Sequence, residues 1–145
     1  MPEPLAGARE MWAADAASAG LGMRVEDLGE GRAVVSMVVR DDMVNGHDLC
    51  HGGLIASLAD SAFALACNSH GPVTVAAGFS IDFLEPARLG QVLRAEAREV
   101  SLRGRSGVYD VTVRADDPAV GEVIAVFRGR SRSLGRPVGS GDGAG

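Results

Sequence analysis

Large rings are scarce in this 145-residue chain, where one Trp, one Tyr and four Phe make up only 4%. A core with so few rings is built from Val, Leu, Ile and Ala, within an apolar fraction of 46%. A basic surplus is also missing: fourteen Lys and Arg against nineteen Asp and Glu give a net charge of −5. That balance argues against a nucleic-acid partner, which is held through displaced counterions. The two cysteines, Cys50 and Cys67, have no framework spacing, so a reducing compartment and a cytoplasmic location are expected. No basic segment followed by an apolar run marks a signal peptide. No stretch reaches the ~18 apolar residues of a bilayer span, because Asp60, Asn68 and His70 interrupt the best candidate, so no membrane partner is expected.

The length suits one domain, expected over residues 1–137. The remainder, 138–145, ends in GSGDGAG, which has nothing to bury and is expected to be disordered. Residues 5–17 read as a short helix. Two strand-like runs follow, 21–28 and 32–39, separated by the turn signal Gly29-Glu30-Gly31. After a polar loop at 40–52, the run 53–69 is apolar over most of a helical circumference, the pattern of a buried helix. Four strands are expected beyond Gly71-Pro72, at 73–85, 92–102, 107–115 and 122–133. In the first, Val75, Ala77, Phe79, Ile81 and Phe83 alternate with polar residues. Short turn-like links between these strands imply an antiparallel meander. One apolar helix and one antiparallel sheet make an α+β, two-layer arrangement, with the helix face left over expected to be covered by self-association.

At ~100° per residue, Ser57, Ser61 and Asn68 fall within about 40° of one another on the long helix, with Asp60 beside them. Asp60 is the only charge of that stripe. The pair Gly52-Gly53 falls where the loop meets the helix, whose first backbone N–H groups are unpaired and carry the positive end of its dipole. Such a corner can hold a developing oxyanion, the main electrostatic demand of acyl transfer. Asp60 lies two turns along, roughly 10–12 Å by helical rise, too far to serve the same carbonyl. Two antiparallel helices packed side by side would bring one chain's Asp60 to the other's Gly52, so the spacing hints at a shared site.

NGHDLCHGGLIASLADSAFALACNSHG, then IDFLEPARLG, GVYDV and VFRGRS, resemble in order the hot-dog-fold thioesterases of the phenylacetic-acid-degradation (PaaI) type, over roughly residues 40 to 134. The resemblance implies a long helix wrapped by an antiparallel sheet, and a homotetramer built as a dimer of dimers. It also implies hydrolysis of acyl-CoA thioesters, of hydroxyphenylacetyl or another medium-sized acyl group, with no cofactor beyond the coenzyme A of the substrate. By the family pattern Gly52 donates its backbone N–H to the thioester carbonyl, and Asp60 of the neighbouring subunit is general base or nucleophile. Asn45 and His51 orient water, substrate or loop. Gly53 and Ser61 are taken as substrate-binding neighbours of these residues.

Each residue also has a plainer reading. Asp60 could be a carboxylate satisfied by nearby serines, the glycines could merely cap a loop, and Asn45 beside Gly46 is an ordinary turn residue. His47, Asp48, Cys50 and His51 are all zinc-ligand types, but adjacent loop residues rarely wrap one ion, so no metal is expected. Cys50 and His51, neighbours in an extended loop, make a poor nucleophile–base pair. Arg128, Arg130 and Arg132, with Arg103 and Arg105, form the basic concentration. Arg128 and Arg130 are candidate holders of the coenzyme A phosphates, against the alternative of a charged edge strand. Phe63, Leu65 and Phe83 read as core. Two rival functions stand: a dehydratase on the same fold, whose usual His-Phe-Pro-type loop is missing, and a non-catalytic acyl-CoA-binding module.

Overall fold

The computed structural model describes residues 4–137, so the Gly-rich tail at 138–145 lies outside the described residues, as do residues 1–3. The chain opens with α1 (Pro4–Ala13) and α2 (Ala16–Gly20), followed by β1 (Arg24–Gly29) and β2 (Arg32–Val38). A 3₁₀ turn at Asp41–Met43 leads to the long α3 (Gly52–Asn68), and then come β3 (Pro72–Phe83), β4 (Val92–Arg103), β5 (Ser106–Ala115) and β6 (Val123–Pro137). The single helix expected over 5–17 is thus two. Asp15 breaks it, because its carboxylate accepts the Ser18 N–H at 2.9 Å and starts a new helix as an N-cap.

The six strands form one antiparallel sheet in the order β1-β2-β4-β5-β6-β3. Only β4-β5-β6 is the expected meander. β3 is not paired with β4; it closes the far edge against β6, and β4 pairs with β2. The link of residues 84–91 therefore crosses the end of the sheet instead of making a hairpin, a topology that strand spacing cannot encode.

Cross-strand rows of side chains line the inner face. Val35, Ala95, Val113 and Ala125 are directly opposite one another from β2 to β6, and all four are fully buried. Small alanines at the middle of β4 let α3 lie close on the sheet, and each such burial removes apolar surface at about 25 cal/mol per Å². Under the helix, a Cβ at Gly129 would stand 2.8 Å from the Phe63 ring, so glycine there seats that ring against Tyr109 and Phe127.

β3 departs from its expected regular alternation. A bulge between Ala76 and Gly78 sets Val75 opposite Arg132 on the outer face, while Phe79 and Ile81 face inward opposite Gly129 and Phe127. Phe83 is also inward but 51% exposed, so its assignment to the core is overturned; Phe63 and Leu65 are buried as expected. β3 is an edge, and at that end only the N-terminus of α3, at Gly52, meets its inner face among the described residues, leaving about half of Phe83 uncovered.

Asn68 leaves the polar stripe of α3. It is buried and bracketed to β3, its Nδ2 donating to the Thr74 carbonyl and its Oδ1 accepting the Thr74 N–H, each at 2.9 Å. Beyond it, Glu99 accepts from Tyr109 Oη at 2.7 Å and meets His70 Nε2 at 2.6 Å, closing the C-terminal end of the helix onto β4 and β5. We expect Asn68→Ala to lower unfolding free energy by about 1–3 kcal/mol, because two buried backbone groups lose partners. Chemical denaturation checks this, and an unchanged midpoint would refute the bracket.

Candidate active site

His51 is the N-cap of α3, with extended backbone (φ −59°, ψ 134°) and no side-chain capping bond. Its carbonyl accepts the N–H groups of Leu54 and Ile55, whereas those of Gly52 and Gly53 find no acceptor among the described residues. Two free donors at the positive end of a 17-residue helix make the expected anion-seeking corner. The glycines differ in what they permit. A Cβ at Gly52 would stand 2.9 Å from the Phe83 ring, while one at Gly53 would meet nothing within 4 Å. Gly52 is therefore required for close packing of Phe83, and Gly53 is not.

A cleft of about 400 Å³ opens at this corner, with Asn45, Leu49, Gly52, Ile55, Phe83 and Leu84 in its walls. Phe83 and Leu84 are 51% and 55% exposed, so its far wall is apolar and uncovered. Asn45 is in this wall through its own local structure. Its Oδ1 accepts the N–H groups of His47 and Leu49, which leaves Nδ2 with no protein acceptor among the described residues. Asn45 is thus both the turn former of the loop and a spare donor at the rim. The exposed His51 side chain makes no hydrogen bond among the described residues. The loop cluster His47, Asp48, Cys50 and His51 does not converge: among the described residues, no three His, Cys, Asp or Glu side chains group to hold a metal ion.

Asp60 sits on the face of α3 turned from the sheet, half-buried, and it makes no hydrogen bond or ion pair among the described residues. Burial pushes its carboxyl above the usual carboxylate range, and the charge of Asp15 pushes in the same direction. Eight residues separate it from Gly52, about 12 Å along the axis. The structure therefore holds the donor corner and the carboxylate apart within one chain. The Ser61 hydroxyl is engaged at 2.8 Å by Ser18. Cys67 is inert, its thiol pushed up to about 12, mainly by burial.

The arginines lie elsewhere. Arg128 forms a two-pronged pair with Asp110 across the outer face of the sheet, at 2.6 and 2.8 Å. The exposed Arg130 reaches back over Gly78. Both line an outer groove of about 290 Å³ that is separate from the Gly52 cleft. Two residues near the site escaped the sequence reading. Phe83 looked like core because its strand alternates, and only topology shows that the strand is an edge. The expected helix over 5–17 puts Asp15 in its interior, although Asp15 followed by Ser18 is a recognisable cap signal.

Comparison with known proteins supplies the family. Residues 47–122 match the family model of the thioesterase superfamily. The chain is 42% identical to the acyl-coenzyme A thioesterase PaaI of Escherichia coli K12, covering 88% of this chain and 89% of that one. The solved structure of the E. coli PaaI protein from the phenylacetic acid degradation operon superposes with a TM-score of 0.87 at 40% identity, over 93% of this chain and 96% of that chain. A Streptococcus mutans protein, solved bound to acetyl CoA, superposes with a TM-score of 0.73 at 26% identity, over 79% and 90%. The chain belongs to the thioesterase superfamily, as a hot-dog-fold hydrolase of thioester bonds of the PaaI type.

Proposed function

We propose that this thioesterase hydrolyses acyl-coenzyme A, carrying an aryl-acetyl or similar medium-sized acyl group, at a site completed by two copies of the chain. The observation that carries the reading is the division of α3 into two unpartnered halves. Free N–H donors stand at Gly52 and a bare carboxylate at Asp60, about 12 Å apart. In an antiparallel pair of helices each copy's Asp60 meets the other's Gly52. The Gly52 N–H then polarises the thioester carbonyl, with Asn45 and His51 orienting water or substrate at the rim. Asp60 of the second copy takes the proton of an attacking water, or attacks directly to give an acyl–Asp60 anhydride that water then hydrolyses to the free acid. The tetrahedral oxyanion rests on the helix N-terminus, and its collapse expels the coenzyme A thiolate.

Several features support this arrangement. The face of α3 that carries Asp60 is built of small residues, Gly53, Ala56, Ser57 and Ala64, over which a second backbone can approach closely. β3 is a long edge with exposed Val75, Phe79 and Phe83, whereas the opposite edge, β1, is six residues, bulged and charged. An unprotected apolar edge suits pairing with another copy. The apolar cleft wall suits an acyl group, and the acetyl CoA of the S. mutans structure makes coenzyme A the fitting leaving group. A tetramer of two such dimers is the assembly we assign. The free thiols of Cys50 and Cys67 suit a cytoplasmic protein. The chemistry needs a donor, a carboxylate and water, so we assign no cofactor, and dialysis against a chelator is expected to leave the rate unchanged. No helix among the described residues is long and apolar enough to cross a membrane.

A thiol-release assay over a panel of acyl-CoAs tests the reading, since free thiol appears only when the thioester is cleaved. Silence across the panel would favour the binding-module alternative. Asp60→Asn should cost most of kcat, about 100-fold or more, with KM little changed. The same substitution should not lower stability at neutral pH. Because the folded protein raises this carboxyl above its unfolded value, ionisation works against folding. That cost is absent below the unfolded value, grows as pH rises through the window between the two values, and is constant above it. Melting temperatures of the two proteins should therefore diverge in the variant's favour as pH rises through that window. Gly52→Ala should cost roughly 100-fold in kcat by displacing the corner against Phe83, while Gly53→Ala stays near wild type. Refolding a mixture of the Asp60→Asn and Gly52→Ala chains should restore activity through dimers with one intact site. Failure of such mixtures to regain turnover would exclude the shared site.

A further inference from the structure

From Ser61, the residue after Asp60, two hydrogen bonds through Ser18 lead to a second carboxylate, Asp15, that belongs to neither the helix nor the sheet. The break between α1 and α2 turns Asp15 toward α3, where Oδ1 accepts the Ser18 N–H at 2.9 Å and Oδ2 accepts the Ser18 hydroxyl at 2.7 Å. Ser18 is 3% exposed, and its Oγ meets Ser61 Oγ at 2.8 Å. An ionised carboxylate can only accept, so the Ser18 proton points to Asp15. The Ser61 proton must then point to Ser18. Hydroxyl protons thus run in one direction, from Ser61 to Ser18 to Asp15, and away from the neighbouring Asp60. Ser61, adjacent to Asp60 in sequence, has no proton left to offer it.

We propose that Asp15 is a positioning residue for the thioesterase reaction, committing the Ser61 hydroxyl proton to the Ser18–Asp15 chain and setting a second negative charge on the Asp60 side of α3. This rests on the reading of Asp60 as the base or nucleophile. A carboxylate with no donor and a like charge nearby holds its proton more readily, and is a stronger base once that proton leaves. The other elements packed on α3 bring little that competes. α1 carries Arg9 and Glu10, both exposed. The middle of the sheet presents aliphatic side chains, and its ionisable groups, Glu99 and Tyr109, sit with His70 at the far end of the helix. His51 caps the opposite end, and Cys67 on the same helix stays neutral.

The test is the pH profile of kcat/KM, read with an acyl-N-acetylcysteamine thioester, which lacks the phosphates of coenzyme A that titrate in the same range. Asp15→Asn keeps a good helix cap and removes the charge. The acid limb should move to lower pH, so the variant outperforms wild type on the acid side. Asp15→Ser, a second neutral cap, should move it in the same direction. Glu10→Gln, which removes an exposed carboxylate of α1 instead, should leave the limb where it is. If both Asp15 variants fold, by melting temperature, but lose activity equally at every pH, the residue is merely structural and the proposal is overturned. If Asp60→Asn keeps wild-type turnover, the assignment of Asp60 fails and takes this inference with it, an outcome separable from the first.

Discussion

The structure depends on covering α3. A 17-residue helix with nine buried residues and a single charge cannot stand in water, and one six-stranded sheet reaches only part of its circumference. Every other feature answers that constraint. Alanines in the centre of β4 and glycine at 129 let the sheet close on the helix, and the Asn68–Thr74 bracket and the Glu99 cluster fasten its end. What the sheet leaves bare is the face with Asp60 and the small residues. The same incompleteness of cover that leaves this face open suits the chemistry proposed for Asp60. A carboxylate fully enclosed by its own chain could not serve a substrate, and one fully solvated would be a weak base.

At the Gly52 corner, packing and the proposed function make demands on one residue. Its free N–H exists because the first turn of any helix leaves its donors unpaired. Its lack of a side chain admits the Phe83 ring, which comes from the exposed edge strand. The two demands meet only because β3 crosses to the far side of the sheet and ends above the helix N-terminus. Asn45 is similar, spending its oxygen on the loop and keeping its amide at the cleft.

Charge is distributed with the same economy. On the outer face of the sheet, Arg32 with Asp27, Arg98 with Glu96 and Arg128 with Asp110 neutralise one another locally, and such exposed pairs contribute little to stability. The half-buried Asp60 has no such partner among the described residues, and burial with the charge of Asp15 pushes its carboxyl up. A paired carboxylate is a poor base, so the contrast separates the solvated face from the reactive one.

How much was legible in the sequence varies with the range of the interaction. The long helix, the inner alternation of β4 and β5, the turn at 29–31 and the glycine corner were readable, because each is set by neighbours in sequence or by a local period. The motifs from Asn45 to Asp60 carried the family resemblance, and helical rise alone showed that Gly52 and Asp60 cannot serve one carbonyl in one chain. Strand order, the bulge that turns Val75 outward, the exposure of Phe83, the partnering of Arg128 with Asp110 and the approach of Asp15 to Asp60 were decided only by the tertiary structure. These depend on contacts between residues far apart in sequence, such as Asp110 with Arg128, Val75 with Arg132 and Arg32 with Arg98, made or refused by topology, and no local pattern records which strand will lie at an edge.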